Sequence, residues 1–275
     1  MRKQTAIYLC ILLSFLNKKD MVTMAQDTTF GAVPYAYVRE ADIMWSKEIW
    51  RVIDLREKIN LPLYYPLDEQ PNKKSLFRII QKGIYSGDIS KVFSYDVFTN
   101  EFGSSLKLSE VKKAMTETID VKDSVGDPLL DLFGNQVTMQ DTIKPERIAQ
   151  YWVKEVWFFD KQRSVMEVRI IGIAPVIIID DPDNDRFAYK PLFWLSYPDC
   201  RNYLAQYKCY NAFNDSDWRN FDEIFQKRFF NSYVLQESNV YGRPITAYAK
   251  GKDALLESER IKEDIFKLEE DIWHH

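Results

Sequence analysis

In Arg39–Pro66 the positions Ala41, Trp45, Ile49, Val52 and Arg56 follow a three- and four-residue spacing, with Ile43, Trp50 and Ile53 widening the apolar face. That spacing predicts one long amphipathic helix. Pro62 and Pro66 end it, because proline disfavours helix in the residue before it and forces an extended exit. Two tryptophans bring a large apolar load, about 150–250 Å² each, so the simplest role is a core helix. A different pattern marks Ile148–Phe159 and Ser164–Ile179, two strands joined by the polar connector Asp160–Arg163, a length that suits a hairpin. Trp152, Trp157 and Phe159 interrupt the alternation of Tyr151, Val153, Val156 and Phe158, so both faces of the first strand need cover. Phe187–Tyr197 reads as a third strand with Pro191 at a bulge or edge, and Val92–Phe102 as a weaker one.

Shorter helices are expected at Lys74–Gln81, at Ser109–Glu117 with Ser109 as N-cap, at Pro198–Gln206, and at Asp217–Phe230 capped by Asp217. The chain ends in a helix from about Asp253. Its Ala254, Ser258, Ile261, Ile265, Leu268 and Ile272 fall at 4-3-4-3-4 spacing, a short coiled-coil-like seam that either docks on its own domain or is offered to a neighbour. Ser238–Pro244 turns through Gly242, and Asp120–Asp141, rich in Asp, Gly and Asn, reads as a break or a long surface loop. The fold class is therefore α+β: an N-terminal helical part, a mainly antiparallel sheet with covering helices, and a C-terminal amphipathic helix. The expected division is a signal peptide at 1–25, a helix-rich part at 26–119, a loop or boundary at 120–145, a β-rich part at 146–250 and the last helix at 251–275. Residues 26–37, polar and then rich in Pro and Tyr, form an extended lead-in or a docking arm.

The signal-peptide expectation rests on Arg2 and Lys3, the apolar run Ala6–Leu16, and Thr23-Met24-Ala25 before Gln26. Eleven residues are too few to span a bilayer, which takes about 20. Leu9, Tyr8 and Ile7 before Cys10 are too large for a lipoprotein signal, so a mature, exported chain without lipid anchor or transmembrane segment is expected. Its loss subtracts Arg2, Lys3, Lys18, Lys19 and Asp20 from 37 basic and 41 acidic residues, leaving 33 against 40. An acidic chain with no basic stripe is a poor partner for nucleic acid or anionic lipid. Fifteen per cent aromatic residues fit a β-containing core or an extensive partner surface.

Little catalytic chemistry is visible. The histidines, His274 and His275, both sit at the tail, which removes histidine-assisted nucleophiles and histidine-ligated metal from the body. No phosphate-cradling glycine motif is present. Asp180–Asp185 fails as a calcium loop, with Arg186 where glycine is needed and Leu192 where a bidentate Glu is needed, and reads as a solvent turn. The pair Asp222–Glu223 is placed on a helix surface without a role. No catalytic residue, cofactor or metal ligand is assigned. Cys200 and Cys209 either form a disulfide or remain two buried thiols.

Several long stretches carry a family resemblance: READIMWSKEIWRVIDLREKINLPLYYP at 39–66, SLFRIIQKGIYSGDISKVFSYDVFTNEF at 75–102, WFFDKQRSVMEVRIIGIAP at 157–175, YKPLFWLSYPDCRNYLAQY at 189–207, FDEIFQKRFFNSYVLQESNV at 221–240 and DALLESERIKEDIF at 253–266. In this order they resemble the GldN/PorN family, component N of the gliding-motility and type IX secretion machinery. The resemblance implies a non-enzymatic periplasmic protein, peripheral to the outer membrane, that self-associates in a ring with lipoprotein component K and contacts the periplasmic part of motor component M. A longer C-terminal extension found in some members is missing here. With no active site to serve, Arg39, Glu40 and Lys47 become candidate partner contacts, as do Ile261, Ile265, Leu268 and Ile272 on the terminal seam. The competing reading from another class is an exported carboxylate-dependent hydrolase or carbohydrate-binding protein.

Overall fold

The computed structural model describes residues 31–68, 70, 73–96, 100–120, 138–181, 186–210 and 219–273. The fold is α+β and is built on an antiparallel sheet whose strands run in the order β10-β1-β6-β7-β9-β2-β3, with β8 also paired to β7. The strands are β1 (Ile43–Asp54), β2 (Val92–Tyr95), β3 (Phe102–Ser105), β6 (Ile148–Asp160), β7 (Val165–Asp181), β8 (Arg186–Pro191), β9 (Trp194–Ser196) and β10 (Tyr233–Glu237). A separate ladder pairs β4 (Thr116–Asp120) with β5 (Thr138–Thr142), at the two ends of the stretch expected to be a loop; residues 121–137 lie outside the described residues. The helices are α1 (Leu61–Tyr64), α2 (Leu76–Ser86), α3 (Leu108–Ala114), α4 (Tyr197–Leu204), α5 (Phe221–Gln226) and α6 (Lys252–Trp273).

The largest departure from the sequence reading is at residues 39–66. In place of one long helix, a 3₁₀ turn at Glu40–Asp42 leads into strand β1, and a second 3₁₀ turn with the short α1 follows. Ile49 to Ile53 are all buried because β1 lies inside the sheet, between β10 and β6. Ile49 and Ile53 face the helices, while Trp50 and Val52 face the opposite side. A strand covered on both faces shows a continuous apolar run, which periodicity alone does not separate from a buried helix. Its β-branched and aromatic residues settle the matter, since those side chains fit a pleated, buried surface.

The hairpin of β6 and β7 forms as expected, with Val153 opposite Ile173 and Trp157 opposite Val168. Asp160 organises its turn by accepting hydrogen bonds from the Gln162 amide at 2.9 Å and the Arg163 Nε at 2.6 Å. The expected third strand, 187–197, is divided into β8 and β9, and Pro191 sits at the end of β8 opposite Val176. The helix expected at Asp217–Phe230 is shorter: Asn220 caps α5 by accepting from the Glu223 amide at 2.7 Å, and Asp217 lies outside the described residues. The helix of 109–117 begins at Leu108 with Lys107 as its cap, and the chain turns into β4 at Thr116.

One face of the sheet packs Ile53, Tyr151, Val153, Ile170 and Ile173 against α2, α4 and α5, with Phe77, Ile80, Tyr197, Phe221 and Phe225 as the covering side chains. Full burial of each such large apolar group contributes about 1.5–3 kcal/mol. On the other face Trp50, Val52, Trp152 and Trp194 are covered by Phe93, Tyr95 and Phe102 of the β2–β3 hairpin. That hairpin is tied across the sheet. Trp50 Nε1 donates to the Asn100 carbonyl at 3.0 Å, and Asn100 Nδ2 donates to Gln236 Oε1 at 2.6 Å. Lys154, nearly buried, pairs with Glu101 and with Glu48 at 3.1 Å and lies over the Trp50 ring at 4.8 Å. Gly172 makes the close approach possible, since a Cβ there would overlap Phe102 Cζ and stand 3.1 Å from Trp194 Cε3.

Candidate partner-facing surfaces

The N-terminal arm is held by charge and stacking. Residues 32–39 form neither helix nor strand, and Val33 and Tyr37 are 77% and 88% exposed. Arg201 Nη2 donates to the Val33 carbonyl at 2.6 Å, and Arg169 Nη2 donates to the Ala36 carbonyl at 2.6 Å. Between these two bonds the Tyr35 ring lies 4.1 Å from the Arg201 guanidinium and 5.2 Å from that of Arg169. Gln226 Nε2 donates to the Tyr35 hydroxyl at 2.9 Å. Such a clip combines cation–π attraction with charge-assisted hydrogen bonds, both stronger than neutral contacts.

The clip is rigid because its base is buried. Arg201 Nε and Nη2 bond both oxygens of Asp222 at 2.9 and 3.2 Å, and Tyr197 Oη donates to Asp222 Oδ1 at 2.7 Å. Burial alone would lower the Arg201 pKa; the Asp222 hydrogen bond and charge reverse this and raise it. Burial, reinforced by the Asp222 charge, drives the Tyr197 hydroxyl well above its usual value, and burial also raises Tyr35. Asp222, read from sequence as a surface acid, is thus a buried anchor, while Glu223 beside it pairs with Lys227 on the surface. No local sequence signal reveals this site, because Tyr35, Arg169, Arg201 and Asp222 come from the arm, β7, α4 and α5.

The residues singled out in the sequence are scattered. Arg39 is exposed and pairs with Asp42 at 2.7 Å, and Glu40 is exposed in the same 3₁₀ turn. Lys47 lies on β1 and pairs with Glu237 of β10 at 2.6 Å. On α6, Ile261 and Ile265 are buried against Ile49, Val234 and Ile245 of the same domain, while Leu268 and Ile272 are half-buried. Ser258, on the same seam, accepts from the Val234 amide at 2.7 Å and so covers part of edge strand β10. The outer side of α6 leaves Leu255, Leu256 and Phe266 at 55%, 58% and 62% exposure. Val240 and Tyr241 are 99% and 78% exposed on the turn after β10, where Asn239 Oδ1 accepts from the amides of Tyr241 and Arg243.

Cys200 and Cys209 are buried free thiols and no bridge joins them. Cys200 lies within α4 in the main core, and Cys209 Sγ donates to the Pro62 carbonyl at 3.0 Å. Cys209 also forms part of the wall of a cavity of ≈ 700 Å³, which Ile59, Tyr65 and Phe229 line as well. Among the described residues no group of three or more His, Cys, Asp or Glu side chains is placed to hold a metal ion.

These features define an α+β protein with one large antiparallel sheet, an N-terminal arm clipped to its surface and a terminal helix laid over an edge strand. Over residues 38–274 the chain matches the family described as gliding motility associated protein GldN. The chain belongs to the GldN family and so to the components of the gliding-motility and type IX secretion machinery. No curated protein matches it.

Proposed function

We propose that this chain is a structural, non-enzymatic subunit of the type IX secretion machinery. It forms a ring with lipoprotein component K beneath the outer membrane and contacts the periplasmic part of motor component M. Family membership over residues 38–274 carries this reading. A periplasmic, peripheral location accords with the described helices, none of which is long and apolar enough to cross a membrane. The exposed turn at Val240–Tyr241, the outer side of α6, and Arg39, Glu40 and Lys47 supply candidate surfaces for these contacts. A ring needs two unlike self-facing surfaces, because a head-to-tail contact is what closes it.

The test is co-expression with the lipoprotein, followed by size exclusion and electron microscopy of the purified particle. A very large annular complex is expected. A chain that elutes as a monomer, indifferent to the lipoprotein, overturns the reading.

A further inference from the structure

We infer that the Arg169–Arg201 clip is an exchangeable docking site, and that in the assembled protein the Val33–Tyr37 arm filling it comes from a neighbouring copy. The inference rests on the self-association proposed above and specifies which surfaces make it. The clip recognises what a loose segment can offer anywhere: two backbone carbonyls and one aromatic ring. It contains no strand ladder that would fix the arm to its own sheet. The link back to β1 is open at Tyr37, which is 88% exposed, and becomes fixed at the 3₁₀ turn of Glu40–Asp42, where Asp42 pairs with Arg39 and its carbonyl accepts from the Lys161 amide at 2.9 Å. The same contacts form whether the arm is a copy's own or its neighbour's. Exchange therefore costs little beyond association itself, the circumstance that makes swapped elements a common route to assembly. Meanwhile the clip is firm, since Arg201 and Asp222 are both buried and doubly hydrogen-bonded. A rigid, pre-organised receptor lowers the ordering cost of recognition on its own side. Arm and clip are different surfaces, so a chain of exchanges runs head to tail.

The experiment uses the full chain in two one-sided variants. Tyr35→Ala removes the arm's ring and leaves the clip intact; Arg169→Ala weakens the clip and leaves the arm intact. Sedimentation velocity over a concentration series should show each variant alone self-associating about tenfold or more weakly than the wild-type chain. Mixed one to one, intact arms meet intact clips once per pair, and the product should stop at dimers. A photo-reactive residue at position 35, in a mixture of isotopically light and heavy chains, should cross-link light to heavy across position 201. Wild-type association by either variant, a wild-type chain monomeric at every concentration, or exclusively intramolecular cross-links would overturn exchange. Large particles formed with the lipoprotein by the Tyr35→Ala chain would overturn exchange and leave the ring reading standing. Failure of the wild-type chain to form them would remove the ring reading.

Discussion

Arg228 holds a φ of 55°, in the left-handed region where a non-glycine side chain is strained. Its guanidinium explains why arginine is there: it bonds Glu155, fully buried on β6, at 3.0 and 3.1 Å. Removing one partner of a buried pair is severe, and Glu155 would be left buried with the Trp157 Nε1 bond at 3.1 Å as its support. Arg228→Ala should lower the unfolding free energy by about 3–5 kcal/mol in a denaturant titration. Arg228→Gly, which relaxes the backbone, should recover about 1 kcal/mol of that loss. The thiols give a second prediction. Burial pushes both Cys200 and Cys209 up to about 12, Asp199 adding to the first while the Arg219 charge and a backbone hydrogen bond at Tyr210 partly oppose the second. A thiol raised above its ordinary value of about 8.5 stabilises the fold fully below that pH, and the contribution is lost as pH rises toward the raised value. The unfolding midpoint should therefore fall above about pH 9. At pH 8 iodoacetamide should label neither thiol quickly in the native protein and both in denaturant, as read by mass spectrometry; rapid native labelling would contradict the burial.

At the scale of elements, β6 and β7 were legible because their apolar runs and the polar connector between them agree on a hairpin. The β1 stretch was not, and the reason is its position. Trp45, Ile49 and Val52 satisfy a helical repeat only because the intervening Trp50 and Ile53 are also buried, on a strand covered from both sides. Sequence spacing records burial but not which neighbours produce it. The expected helix at 217–230 overran for a related reason: Phe229 and Phe230 continue its pattern, yet Arg228 turns the chain to reach Glu155. The terminal helix was legible in full, and its seam serves the domain at its N-terminal half. Ile261→Ala should cost about 2–5 kcal/mol, the usual range for emptying a buried aliphatic site. Ser258→Ala should cost about 1 kcal/mol through the lost bond to the Val234 amide. Gly172→Ala should cost about 1–3 kcal/mol, since Phe102 and Trp194 must move aside. Thermal unfolding of the three variants separates these ranks.

At the scale of the whole molecule, family motifs were legible while the arm's receptor was not. Residues 26–37 suggest an extended lead-in or a docking arm, but Arg169, Arg201 and Asp222 are brought together only by the fold. The outer charges pose the remaining question, and they can be altered without touching the core. Arg39 and Glu40 sit on an exposed turn, and Lys47 is the one of the three that crosses strands, to Glu237. Reversing Lys47 alone would set two carboxylates side by side and confuse a folding defect with a lost contact. The exchange Lys47→Glu with Glu237→Lys keeps the pair inside the molecule while inverting what a partner meets at that place. Combined with Glu40→Lys and with the matching exchange of Arg39→Glu and Asp42→Lys, it should leave the unfolding midpoint close to wild type, because pairs near the surface contribute little to stability. If these side chains face component K or M, the same variant should co-purify with that component several-fold less than wild type, and high salt should reproduce the loss. Undiminished co-purification by a folded variant would assign the contact to the apolar surfaces at Val240–Tyr241 and Phe266 instead.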